Sequence, residues 1–232
     1  MKKRPGGELA SRPLHFIWIC DCSGSMQSDG KIQSLNNAIK EAIPHMQQAA
    51  DENPNAQVFV RAVKFSDGAQ WTIPQVTPIA DFRWDDLKAE GMTDMGKAIS
   101  MVADQLRIPP MSERALPPIL VLVSDGQPTD DYSGAVRELL QIPWGKRAVR
   151  IAVAIGEDAD QEALRLFIAN PEIPVLQANN AETLINYIRW ASTAVLKAAS
   201  APASQQRTGN AIAANVPIPS PPAAASPVTD VW

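Results

Sequence analysis

Leu14-His15-Phe16-Ile17-Trp18-Ile19-Cys20, followed at once by Asp21-Cys22-Ser23-Gly24-Ser25-Met26, is the stretch on which the reading of this chain turns. The first part is almost continuously apolar and rich in β-formers, without the alternation of a half-exposed strand. That pattern predicts a central strand buried on both faces, which is the habit of parallel sheets. The strand stops on an aspartate, and small hydroxyl residues follow. Polar, oxygen-bearing side chains are thereby placed at its carboxyl end.

Working outward, Ile32, Leu35, Ile39, Ile43 and Met46 recur at helical spacing and predict an amphipathic helix over 31–50. Pro44 lies inside it and is expected to kink its later turns. Residues 57–65 and 69–76, split by Ser66-Asp67-Gly68, predict a tight hairpin whose second strand is an antiparallel edge. Met95, Ala98, Ile99, Val102 and Leu106 mark a second helix. Residues 117–123 predict another fully buried strand, 135–140 a short helix, 149–155 a strand, 161–169 a helix and 175–177 a short strand. A closing helix over 181–199 carries Leu184, Ile188, Ala191 and Val195 on one stripe. Strands alternating with helices imply an α/β fold: a Rossmann-like, doubly wound, mostly parallel sheet with one antiparallel edge strand.

Residues 1–13 are expected to be an N-terminal extension, 14–199 the domain, and 200–232 a flexible tail dominated by Ala, Pro and Ser, whose only charges are Arg207 and Asp230. The terminal Trp232 is the one aromatic residue of that tail and a candidate short anchor. The formal charge is −4, from 21 basic and 25 acidic residues spread along the chain, so no basic block exists to hold nucleic acid. No apolar segment at the N-terminus reads as a secretion signal, and the 14–20 run is too short to span a membrane. Cys20 and Cys22, badly spaced for a disulfide, read as reduced thiols that pack around the loop, which places the protein in the cytoplasm. His15 and His45 are assigned structural roles.

Three fragments carry chemistry: Asp21-Cys22-Ser23-Gly24-Ser25-Met26, Gly91-Met92-Thr93-Asp94 and Ser124-Asp125-Gly126. In an open α/β sheet, loops leaving the carboxyl ends of the strands converge where the strand order reverses. Asp21 and Asp125 follow the two most buried strands and should face each other there. Ser23, Ser25 and Thr93 add hydroxyl oxygens, with Gly24 expected to let the loop wrap tightly enough to aim both serines inward. Two carboxylates with hydroxyls, and no Cys or His, suit a hard cation; Mg²⁺, which takes octahedral oxygen shells at ~2.0–2.1 Å, is favoured, with Mn²⁺ as the substitute. Two carboxylates only neutralise a dication. Positions left to water would accept an Asp or Glu carboxylate from another protein. Asp94, Asp130 and Asp131 are read as helix caps and turn charges.

In this order Asp21-x-Ser23-x-Ser25, Thr93 and Asp125 resemble the metal-ion-dependent adhesion site of von Willebrand factor A domains, over roughly 14–199. The resemblance implies that Ser23 and Ser25 ligate the metal directly, and that Thr93 and Asp125 bind it directly or through water, with Asp21 completing the set. It implies a protein-interaction module rather than an enzyme. The fragments from Gly91 to Gly96 and from Ser124 to Asp130 resemble the bacterial tellurite-resistance TerY-like group. That likeness implies a stress-response or phospho-signalling adaptor working with a PP2C-type phosphatase, a serine/threonine kinase, or both.

Two other readings compete. A Mg²⁺-dependent phosphatase could use Asp21 as nucleophile, but such sites resemble a pattern with a second aspartate two positions on, where this chain has Ser23. A scaffold with a purely structural metal is the other. No Gly-x-Ser-x-Gly elbow or Gly-x-x-x-x-Gly-Lys-Ser/Thr loop occurs, and no Gly-x-Gly-x-x-Gly follows the first strand, so serine-hydrolase and nucleotide-binding readings fall away.

Overall fold

A computed structural model describes residues 11–53, 55–201 and 216–223. Strand β1 (Arg12–Asp21) leads through a short 3₁₀ segment, Gly24–Gly30, into α1 (Lys31–Asp51). Then come β2 (Ala56–Ser66), β3 (Gly68–Pro78), α2 (Met95–Gln105), β4 (Ile119–Ser124), α3 (Tyr132–Gln141) and α4 (Pro143–Arg147). The chain continues through β5 (Val149–Ile155), α5 (Gln161–Ile168), β6 (Leu176–Ala178), α6 (Ala181–Trp190), a π-turn (Ala191–Val195) and α7 (Leu196–Ser200).

The six strands form one sheet in the order β3-β2-β1-β4-β5-β6. Every pair is parallel except β2–β3. This is the doubly wound architecture with an antiparallel edge. Side chains of β1 alternate between the two faces. Leu14, Phe16, Trp18 and Cys20 meet α1 and α6 on one side, whereas Ile17 and Ile19 meet α2 and α3 on the other. Strands β4 and β5 are buried along their whole length, which is why neither shows a polar face in sequence. After β1 the chain pairs toward β2, and after β4 toward β5. The order therefore reverses between β1 and β4.

Several local expectations need correction. The α1 helix runs through Pro44 without interruption; Pro44 sits on the exposed face, where water can serve the carbonyl that loses its donor. Helix α3 begins three residues before the predicted 135–140 segment because the Asp131 side chain caps it through the Gly134 amide. Helix α4, opened by Pro143, has no counterpart in the prediction. The closing helix contains a π-turn, where Ser192 and Thr193 donate back to the Ile188 and Arg189 carbonyls.

The tail also departs from expectation where it is described. Val216 is 7 % exposed and joins the apolar cluster of β1 and α6, with Ile218 packed against it. Together with Leu116, Pro117, Ile173 and Ala201 they line a groove at the amino ends of the strands. In this stretch the apolar side chains outweigh the freedom that an Ala/Pro/Ser composition suggests. Trp232 and the remainder of the tail lie outside the described residues, as do residues 1–10 of the extension.

Burying a valine contributes about 1.5–3 kcal/mol. Val216→Ser should therefore lower the melting temperature by several degrees, at about 2–4 °C per kcal/mol for a chain of this size. Calorimetry checks this, and an unchanged transition would mean that the segment contributes nothing to the domain.

Candidate functional site

The reversal between β1 and β4 brings the three fragments to one edge. Asp21 is the last residue of β1, and Ser124 the last of β4. Their side chains meet: the Ser124 hydroxyl donates to Asp21 Oδ2 at 2.5 Å. The other carboxylate oxygen, Oδ1, accepts the Ser23 amide at 2.8 Å, which turns the chain sharply out of the strand. Ser23 and Ser25 hydroxyl oxygens lie 3.0 Å apart. Ser25 then donates to Asp125 Oδ1 at 2.7 Å. Thr93 joins from the second loop: a Cβ placed on Gly126 would stand 3.6 Å from Thr93 Oγ1 and 3.7 Å from Ser25 Oγ. All five residues singled out in the sequence thus surround one small volume.

Gly24 does not play the part expected of it. Its φ is not left-handed, and a Cβ there would meet only the Gly91 carbonyl at 3.5 Å, an ordinary contact. The left-handed residues of this loop are Asp29 and Gly30, which turn the chain into α1. The glycine that matters is Gly91, with φ +78° and the Asp67 carboxylate 2.6 Å from where its Cβ would be. Asp67 in turn accepts the Met92 amide at 2.9 Å and so sets the approach to Thr93.

Thr93 is held from both sides by Thr129, whose hydroxyl accepts its amide at 3.2 Å and whose amide reaches its carbonyl at 3.0 Å. The long irregular connection before it is pinned by Asn36 of α1. That side chain accepts from Trp84 Nε1 and the Leu87 amide and donates to the Leu87 carbonyl. Asp130 caps α2 by accepting the Gly96 and Lys97 amides, each at 2.8 Å. Asp94 accepts from the Gly68 amide, Lys97 and Thr129. The three outlying aspartates are thus engaged in caps and turns.

Lys31 escaped the sequence reading. Its ammonium donates to Asp125 Oδ2 at 2.8 Å, with side-chain exposures of 8 % and 0 %. A lysine in the first turn of a helix opposes the macrodipole, and α1 has no acidic residue there. That mismatch was the available signal of a distant anion. Ser124 was visible only as the first residue of the third fragment, and Thr129 only as a polar residue shortly after it.

The donor set is two carboxylates and three hydroxyls. Among the described residues no group of three or more His, Cys, Asp and Glu could hold a metal. The thiols offer no alternative: both are free and buried, and burial pushes Cys22 up to about 12 and Cys20 also well above its ordinary range. Gly126, with no side chain, leaves the space between the Thr93 and Ser25 hydroxyls open to a small cation. Burial raises Asp21 to about 6 against the lowering effect of its hydrogen bonds from Ser124 and Ser23. Its two donors offset only part of the cost of its charge.

The profile of the von Willebrand factor type A domain matches residues 17–189. A comparison with curated protein sequences finds no match. Among solved structures, a von Willebrand factor type A protein from Catenulispora acidiphila superposes with TM-score 0.64 at 20 % identity, over 81 % of this chain and 43 % of that one. An ArnB paralog, VWA2, from Sulfolobus acidocaldarius gives 0.57 at 22 %, over 77 % and 45 %. Proximal thread matrix protein 1 from the mussel byssus, with a zinc-occupied MIDAS motif, gives 0.59 at 16 %, over 78 % and 48 %. The chain spans less than half the length of each.

Asp21 sets a pH dependence in the metal-free protein. With its pKa raised from 3.8 to about 6, only the unfolded chain loses the proton between those values. Asp21 therefore takes stability away as pH rises through that window. His15, lowered from 6.5 to about 4 by burial and by Arg61, acts oppositely, its contribution being lost as pH falls from 6.5 to 4. The two offset each other. In Asp21→Asn, His15 is unopposed, so stability should fall more steeply than in the wild type as pH drops through this range. Urea titrations in EDTA at several pH values test this; parallel profiles would mean that Asp21 ionises at an ordinary pKa.

Proposed function

Because the chain belongs to the von Willebrand factor type A domain family, we propose that it is a metal-dependent protein-interaction module whose adhesion site takes an acidic residue of its partner. The observation that carries this reading is the convergence of Asp21, Ser23, Ser25, Thr93 and Asp125 around the opening beside Gly126. Asp21, Ser23 and Ser25 would hold Mg²⁺ or Mn²⁺, with Thr93 and Asp125 binding directly or through water. When bound, the cation supplies an electrophilic centre for a carboxylate. The chain's own residues fix the geometry. Ser124 orients Asp21, Thr129 orients Thr93, and the absence of a side chain at Gly126 keeps the approach open.

No catalytic step is assigned. Both Asp21 oxygens already accept hydrogen bonds, from the Ser23 amide and the Ser124 hydroxyl, and the position two residues on is a serine rather than a general acid. The fragments from Gly91 to Gly96 and from Ser124 to Asp130 support an adaptor of the TerY-like kind in a bacterial stress-response or phospho-signalling system. Its partners would then be a PP2C-type phosphatase, a serine/threonine kinase, or both. The buried free thiols Cys20 and Cys22 support a cytoplasmic setting. Among the described residues no helix is long and apolar enough to cross a membrane.

Hydroxyl ligands are weak and Mg²⁺ sheds water reluctantly, so metal binding in isolation should be weak and should strengthen with partner present. Capture of a partner by the full chain is expected in Mg²⁺, and to be lost in EDTA and in Asp21→Ala and Thr93→Ala. Gly126→Ala should fold normally, since the added methyl meets its neighbours at ordinary contact distances, yet bind Mn²⁺ at least tenfold more weakly by calorimetry. Zn²⁺ belongs in the same titration, since the mussel protein's motif holds zinc. Capture that survives EDTA while the melting temperature falls would make the metal structural. Metal-dependent phosphate-ester hydrolysis that disappears in Asp21→Asn would make the protein an enzyme.

A further inference from the structure

We infer that Lys31 is a resident counter-charge of the metal site, weakening capture of the divalent cation by the free protein and leaving the loaded site cationic toward an incoming carboxylate. The inference deepens the adhesion-site reading and rests on it. Its basis is an ion pair with almost no access to water: Lys31 Nζ stands 2.8 Å from Asp125 Oδ2, and the two side chains are 8 % and 0 % exposed. Charges so placed interact several-fold more strongly than they would in bulk water.

The lysine's position makes the pairing specific. It opens α1, where the backbone amides already carry positive partial charge and no acidic residue in the first turn compensates it. Among the described residues no other cation hydrogen-bonds to Asp21 or Asp125; Lys97, in the first turn of α2, is bound to Asp94 instead. Asp125 is thereby divided. One oxygen faces the Ser25 hydroxyl at 2.7 Å, and the other is held back by the ammonium.

The charges then decide the consequence. Asp21 and Asp125 contribute −2 when ionised, and Lys31 brings the site to −1. A dication raises it to +1 rather than to neutrality. Entry of the metal is opposed by one buried positive charge, while an anionic side chain arriving afterwards is attracted by a net positive site. Lys31 shifts binding strength from the metal step to the partner step, so that the metal is held firmly only in the complex. As a positioning residue it also keeps Asp125 turned to share one oxygen with Ser25.

The test is a Mn²⁺ titration of the full chain by calorimetry, with thermal melts as a second readout, on wild type, Lys31→Met, Lys31→Arg and Ser23→Ala. Lys31→Met should bind Mn²⁺ at least tenfold more tightly than wild type and show a lower melting temperature in EDTA, with a larger rise on adding Mn²⁺. Lys31→Arg, which keeps the charge, should stay within a few-fold of wild type. Lys31→Gln keeps a donor for Asp125 while removing the charge, and should show the same tightening if Lys31→Met does not fold. Neutral variants that bind Mn²⁺ no more tightly than wild type, while Ser23→Ala abolishes binding, would overturn the role of Lys31 and leave the adhesion site standing. Mn²⁺ binding that ignores Ser23→Ala would overturn the site itself, and this inference with it.

Discussion

Two carboxylates are set into the interior at the ends of adjacent strands, and the top of the molecule is organised by the need to satisfy them. Asp21 and Asp125 are 0 % and 1 % exposed. An ionised group in such a place is costly unless donors replace the lost water. The donors come from separated parts of the chain: the Ser23 amide, the Ser124 and Ser25 hydroxyls, and the Lys31 ammonium. The parallel sheet makes this economical, because adjacent strands deliver their carboxyl ends to the same edge. A side chain at the end of β1 reaches the end of β4 without any loop crossing the site.

The loops that carry the remaining oxygens are braced against one another rather than left to settle on a ligand. The Gly24 amide bonds to the Gly91 carbonyl at 2.9 Å, the Glu90 amide to Cys22 at 2.7 Å, and the Asp94 amide to Ser66 at 3.0 Å. Asp130 reaches from the loop after β4 to cap α2, and Asn36 fastens the irregular 79–94 segment to α1. Removing Asn36 would strand the buried Trp84 and Leu87 donors, a cost of about 1–3 kcal/mol per unmade bond. Such bracing fixes Thr93 opposite the serines before anything binds. The weakness of hydroxyl ligands is then set by their chemistry and not by disorder.

How far the chain could be read follows from the same physics. The buried strands were legible because burial on both faces leaves a continuous apolar run: the predicted 149–155 segment coincides with Val149–Ile155. The five candidate residues could be singled out because each is a polar residue just after such a run or just before a helix. Lys31 was not, since its meaning lies in an anion 94 positions away and a lysine at a helix start reads as solvated surface. The interruption of the closing helix after Trp190 was hidden because Ala191 and Val195 keep an apolar stripe through the π-turn. Val216 was masked by its neighbours, whose composition argues for disorder while one valine and one isoleucine argue the reverse.

A metal that completes its shell with a carboxylate cannot by itself choose among partners, since aspartate and glutamate cover every protein surface. On the proposed reading, selectivity would come from what surrounds the opening. In this chain the rim carries Met92, 57 % exposed although apolar, immediately before Thr93. A flexible thioether beside a polar site offers an apolar contact that adapts to the residues flanking an acidic side chain. The cation would supply orientation and charge, and the exposed methionine surface area and shape. On the proposed reading a partner would need an acidic residue with an apolar neighbour, which is a narrower requirement than charge alone.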